Sequence, residues 1–135
     1  MVIFADVDLQ HHARQAVQAA LEMVQRAAPL DAQLQGIFGS ISVHIGVNSG
    51  LALVGPTKLE GATGTRWTYT ASGPMTNIAA RIATLGEDGV ILVGPETARR
   101  VEGCFLLQEI GLRQFKNISE EVLVYRILRE VDRRV

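Results

Sequence analysis

Between Gly73 and Val93 the chain reads GPMTNIAARIATLGEDGVILV, a run that leaves little choice of structure. Met75, Ile78, Ala79, Ile82 and Leu85 recur at three- and four-residue intervals, which is one face of an α-helix. Pro74 suits the first helical position, where its missing N–H would have had no intrahelical partner. Gly86 and Gly89 close the helix, and Val90–Val93 follows as a short apolar strand of the buried type. A helix leading directly into a buried strand calls for a sheet with that helix packed on it.

The flanking segments supply the rest of the sheet. Val2, Ile3 and Phe4 predict a strand at the chain start. Ala13, Ala16, Val17, Ala20, Leu21, Val24, Ala27 and Ala28 mark one face of an amphipathic helix, which Pro29 is expected to end. Ile41, Val43, Ile45 and Val47 alternate, so residues 41–54 read as one long strand or two, with a bulge or close backbone approach at the glycines Gly46 and Gly50. GPTKLEGATG (55–64) is rich in turn residues and RWTYTA (66–71) in strand formers, predicting a hairpin with a long tip. Pro95–Thr97 opens a brief helix, and Phe105–Gln108 and Val122–Leu128 are further strands. The order β-α-β-β-α-β-β-β predicts an α+β domain built on one sheet with helices on one face. A sheet that starts at residue 1 is expected to lack an edge or central strand.

A chain of 135 residues and 14.7 kDa suits a single domain. Hydrophobic residues at 47% against 20% charged exclude a disordered chain. With 13 Lys and Arg against 14 Asp and Glu, the net charge of -1 gives no overall attraction to nucleic acid or an anionic membrane. An anionic ligand therefore has to be held by local placement of charge. The single cysteine, Cys104, excludes an internal disulfide, suits a reducing compartment and reads as a packed thiol. No apolar run reaches the roughly 20 residues of a membrane helix, and no secretory leader is visible. These features predict a cytoplasmic protein without a membrane segment.

The stretch with most chemistry is YTASGPMTNIAARI (69–82). Asn77 and Arg81 stand four residues apart on the predicted helix, so their side chains leave the same face. A neutral amide and a guanidinium one turn apart suit a hydroxyl and an anionic oxygen, and the planar fork of arginine matches phosphate. The competing reading is a solvated polar stripe on a surface helix. His11 and His12 diverge too far to bind one metal ion, and a lone His44 on a strand reads as packed or solvent-facing.

Four blocks, HIGVNSGLALVG, WTYTASGPMTNIAARIATL, GVILVGPETARRV and GLRQFKNISEEVLVYRI, resemble in order and spacing the second half of the class III adenylate/guanylate cyclase catalytic domain. The resemblance implies a partial cyclase domain over residues 1–128, with 129–135 as a charged tail. It implies a ferredoxin-like α+β fold, N-terminally truncated, with one mainly antiparallel sheet and helices packed on it. In that family, active sites form between paired domains, as a homodimer or with another cyclase domain. A nucleoside triphosphate is cyclised there to the 3′,5′-cyclic monophosphate with loss of pyrophosphate, and ATP is the expected substrate ahead of GTP. Asn77 and Arg81 match the family's N-x-A-A-R pattern, as the ribose-orienting asparagine and the transition-state arginine. Lys116 resembles the lysine that reaches the triphosphate, and Gly73 belongs to the substrate-binding turn. Two positions depart from the pattern. Pro74 replaces the polar residue that reads the purine, and Asn117 replaces the glycine after the lysine.

The family holds two divalent ions, Mg²⁺ or Mn²⁺, on two aspartates. VIFADVD resembles the strand bearing the first of them, which would place Asp6 at the metal. The same residues also resemble a later strand, leading into a helix like ERAVRAALAM. Only one predicted helix separates Asp6 from Gly46, which matches the later strand. On that alignment Asp6 and Asp8 are loop acids favourably placed before a helix N-terminus. Both metal aspartates would lie ahead of Met1, no metal would bind this chain alone, and the chain alone would be inactive. A non-catalytic dimerisation or regulatory module is the alternative.

Overall fold

The computed structural model describes residues 1–5 and 7–131. Helix α1 (Leu9–Phe38) begins where the Asp8 carboxylate accepts the Gln10 and His11 amides at 3.0 and 3.1 Å. That is an N-cap satisfying two of the amides left without helical partners. The helix then runs through Pro29 instead of ending there. A proline removes one hydrogen bond, to the carbonyl four residues earlier. Gln25 and Pro29 are both exposed, so water can meet that carbonyl.

Strands β1 (Ile45–Val47) and β2 (Leu53–Gly61) are separate, joined by an irregular stretch at 48–52. β2 pairs antiparallel with β3 (Gly64–Ser72) from Leu53↔Ser72 to Gly61↔Gly64. The hairpin tip is thus a tight turn at Ala62 and Thr63, and the turn-rich GPTKLEG lies within the strand. Pro56 is tolerated because a two-stranded ribbon leaves alternate amides facing outward, where proline loses no ladder bond.

Helix α2 (Pro74–Leu85), strand β4 (Ile91–Val93), helix α3 (Pro95–Val101) and strands β5 (Phe105–Arg113) and β6 (Val122–Glu130) complete the order. The main sheet runs β1-β4-β6-β5, with β1 and β4 parallel and the other two pairings antiparallel. β5 outlasts its predicted end at Gln108, bending through a register shift at Gly111, whose φ of +123° suits glycine. Val2–Phe4 forms no strand, since no neighbouring strand pairs with it.

The helices occupy both faces of the sheet, not one. Ile91 and Val93 point to a core formed with Ala13, Val17 and Ala20 of α1, Ala98 and Val101 of α3, Phe105 and Ile127. Between them Leu92 points the opposite way, to a second core of Ile78 and Ile82 of α2, Phe115, Val122 and Val124. This alternation is the period-two rule of a strand buried on both faces. Cys104 is half-buried against the first core.

Candidate functional site

Ile78 and Ile82, 7% and 0% exposed, anchor α2 on the sheet. That anchorage turns Asn77 and Arg81 to the exposed side of the helix, on one stripe with Cβ atoms about 6 Å apart by helical geometry. Among the described residues neither side chain has a hydrogen-bond or ion-pair partner; the Arg81 backbone carbonyl accepts the Thr84 hydroxyl at 2.7 Å. Two groups able to bind a hydroxyl and an anionic oxygen thus stand side by side without partners among the described residues.

Gly73 caps α2 with a φ of +127°, in the region that favours glycine, and its carbonyl accepts the Asn77 amide at 3.3 Å. Pro74 holds the first helical position as predicted, exposed and without an N–H. Asn48, which the sequence pattern did not single out, donates from Nδ2 to the Met75 carbonyl at 3.1 Å and ties the end of β1 to the start of α2. Its signal was slight: one of three polar side chains in HIGVNSG.

Lys116 is exposed and has no ion pair among the described residues. The residue before it, Phe115, is buried in the same core as Ile78 and Ile82. The Lys116 turn is therefore fastened on the α2 side of the sheet. The Ile118 amide closes this turn on the Phe115 carbonyl at 3.2 Å, with Asn117 at a φ of +65°. A positive φ at the third turn residue suits glycine or asparagine. Asn117 thus adopts the left-handed conformation that glycine favours, and the substitution leaves the turn intact. Gln114 braces it, donating from Nε2 to the Ile118 carbonyl at 2.6 Å.

His44 engages both ring nitrogens, Nδ1 with the Gly86 carbonyl at 2.6 Å and Nε2 with the Ser42 hydroxyl at 2.8 Å. A carbonyl only accepts, so Nδ1 carries the proton, and in the neutral ring Nε2 accepts from Ser42. Among the described residues no three His, Cys, Asp or Glu side chains cluster as a metal site. Asp6 lies outside the described residues. None of the helices described is long and apolar enough to cross a membrane.

Comparison with known proteins bears on this arrangement. Among solved structures, the adenylyl cyclase CyaB from P. aeruginosa is 28% identical with a TM-score of 0.80, over 97% of this chain and 66% of its own. The guanylate cyclase domain of RhGC from Catenaria anguillulae, in complex with GTP, is 25% identical with a TM-score of 0.69, over 89% of this chain and 61% of its own. The guanylyl cyclase Cya2, at 21% identity and a TM-score of 0.77, shares the fold over 92% of this chain and 61% of its own. The chain thus spans a little under two thirds of the length of each of these proteins. Among curated proteins no sequence match was found. The family model of the adenylate and guanylate cyclase catalytic domain matches residues 1–128, and the chain belongs to that family.

Proposed function

We propose that this chain supplies the ribose and phosphate contacts of a composite site that cyclises a nucleoside triphosphate, ATP ahead of GTP. The observation that carries this reading is the pair Asn77 and Arg81, exposed and without side-chain partners among the described residues, one turn apart on α2 in a cyclase-family domain. In the reaction the ribose 3′ oxygen bonds to the α-phosphorus while the bond to pyrophosphate breaks. The Asn77 amide orients the ribose. The Arg81 guanidinium meets the charge that builds on the α-phosphoryl oxygens, where a fixed cation acts with most effect. Lys116 binds the departing phosphates as a point charge. Gly73 lets the backbone turn close to the nucleotide. Pro74 has neither a side-chain hydrogen-bonding group nor an N–H, so the purine is read elsewhere.

The family's two divalent ions, Mg²⁺ or Mn²⁺, supply nucleophile activation and charge neutralisation when bound. Of the acids in VIFADVD, Asp8 is engaged as the N-cap of α1, where it accepts the Gln10 and His11 amides. We assign the metal carboxylates to another, complete cyclase domain, and expect the chain alone to be inactive. A second reading, a non-catalytic dimerisation module, is favoured by one feature. Val54, Trp67 and Tyr69 share one face of the β2–β3 ribbon by register and are 44%, 63% and 72% exposed. Aromatic side chains of this kind are typical interface anchors.

The deciding assay incubates the chain with ATP or GTP and Mg²⁺ or Mn²⁺, alone and with a complete cyclase subunit lacking its own Arg81 counterpart. Cyclic product only in the mixture, lost with Arg81→Ala, is the expected result. Complex formation without product leaves the dimerisation module. Turnover by the isolated chain that Arg81→Ala abolishes overturns the assignment of the metal carboxylates to a partner.

A further inference from the structure

Helix α2 starts without the side-chain cap that opens α1, since Gly73 has no side chain to offer. Its first backbone bond, from the Asn77 amide to the Gly73 carbonyl, is 3.3 Å long. The buried anchors Ile78 and Ile82 lie in the second and third turns. Asn77 therefore stands on a first turn that has to be tied down from elsewhere, because an uncapped helix end frays.

The tie comes from residues 48–50, just past the end of β1. Asn48 is half-buried, and its Nδ2 donates to the Met75 carbonyl at 3.1 Å, with the Met75 Sδ at 3.6 Å as a weak second acceptor. The amide has a seat made for it. A methyl group at Gly94 would overlap the Asn48 Oδ1 and displace it, and the Gly94 amide is itself held by the Val47 carbonyl at 3.0 Å. Ser49 Oγ meets the hydroxyl of the fully buried Thr97 at 2.7 Å, which fixes the segment to α3. The Met75 side chain lies against Gly50, where an added methyl would overlap its Cγ. Both the carbonyl and the side chain of Met75 are thus held by a segment anchored on β4 and α3.

We propose that Asn48 is a positioning residue of the nucleotide site: it locks the first turn of α2 and through that turn holds Asn77 in place for the ribose. The proposal rests on the assignment of Asn77 to the nucleotide. A tie that only supported the fold would leave the affinity of the folded protein for nucleotide untouched.

The test compares Asn48→Ala with wild type by amide hydrogen exchange without nucleotide, then by titration with a fluorescent triphosphate analogue below the melting transition of every variant. The Asn77 amide is expected to exchange about fivefold faster, the size of one neutral hydrogen bond. Affinity for the analogue falls by no more than the loss in Asn77→Ala, and the fall disappears in an Asn77→Ala background, where the faster exchange persists. Gly94→Ala, which displaces the same amide from its other side, gives the same pattern. Unchanged exchange at residue 77 in both variants overturns the proposal. Faster exchange with unchanged affinity overturns it as well, leaving a tie that serves the fold alone, and so does equal weakening with and without Asn77. A wild-type chain that binds no analogue overturns it through the assignment of Asn77 itself, and faster exchange in Asn48→Ala then shows that the tie was not at fault.

Discussion

Gly46 of β1 and Ala83 of α2 meet backbone to backbone. A methyl group at Gly46 would stand 2.5 Å from the Ala83 amide nitrogen and 2.6 Å from the Ala79 carbonyl oxygen. Both are main-chain atoms, so no change of rotamer relieves the clash, and Gly46→Ala has to push α2 away from the sheet. The expected loss is about 3 kcal/mol, the upper range for overpacking a filled site. It is read as a lower urea midpoint at unchanged m-value. In Gly50→Ala the new methyl meets only the flexible Met75 side chain, so the loss is smaller. A Gly46→Ala variant as stable as wild type would refute the close approach of α2.

Asn117 holds a φ of +65° in the turn that presents Lys116. Asparagine visits this region more readily than other side chains, and glycine does so freely. Asn117→Gly is therefore expected to lie within a few tenths of a kcal/mol of wild type, whereas Asn117→Val loses roughly 1–2 kcal/mol. Thermal melts of the two variants check this. Equal losses would mean that the turn does not depend on the left-handed conformation.

What the sequence disclosed follows the strength of its local signals. Helix α2 was legible because period, proline and terminal glycines all agreed. Asn77 and Arg81 were legible with it, since their spacing alone fixes a common face. Pro29 and Pro56 misled, because the cost of a proline depends on whether water or a neighbouring strand stands at the lost hydrogen bond, and only tertiary structure decides that. Val2–Phe4 has the composition of a strand, but a strand exists only when paired. The place of Lys116 was hidden for a related reason. It depends on Phe115 packing against Ile78 and Ile82, a contact between segments more than 30 residues apart in the sequence. Helices on both faces of the sheet were hidden as well, because three-residue β4 is too short to display its alternation.

Glu96 in the first turn of α3 accepts Arg99 Nε at 3.1 Å and Arg100 Nε at 2.9 Å. The Arg99 hydrogen bonds, aided by Arg100 and opposed by partial desolvation, hold its carboxyl below the usual 4.5. A carboxyl depressed in the folded state stabilises fully above its unfolded pKa, and that contribution disappears as pH falls through the folded value. Wild type is therefore expected to lose more stability than Glu96→Gln as pH drops through 4.5 and below. The gap is small, because Arg99 is 72% exposed and water screens the pair. Melting temperatures of both proteins across this range test the point, and parallel curves would show that the ion pair adds nothing.

The Arg81 side chain is exposed and has no partner among the described residues, so its removal is expected to leave the melting temperature unchanged. Its contribution should show only when a triphosphate is bound. Hydrogen bonds to charged groups contribute about 1.5–3 kcal/mol, so Arg81→Ala is expected to weaken binding by roughly tenfold or more. Arg81→Lys keeps the charge but loses the planar fork, and should fall between Ala and wild type. Asn77→Ala removes a neutral hydrogen bond and should weaken binding by about fivefold, near 1 kcal/mol. Titration with a fluorescent triphosphate analogue, displaced by ATP or GTP and paired with thermal melts, separates the cases. Weakened affinity at constant melting temperature assigns Arg81 to the ligand, whereas unchanged affinity in all three variants returns the Asn77–Arg81 stripe to an ordinary solvated helix face.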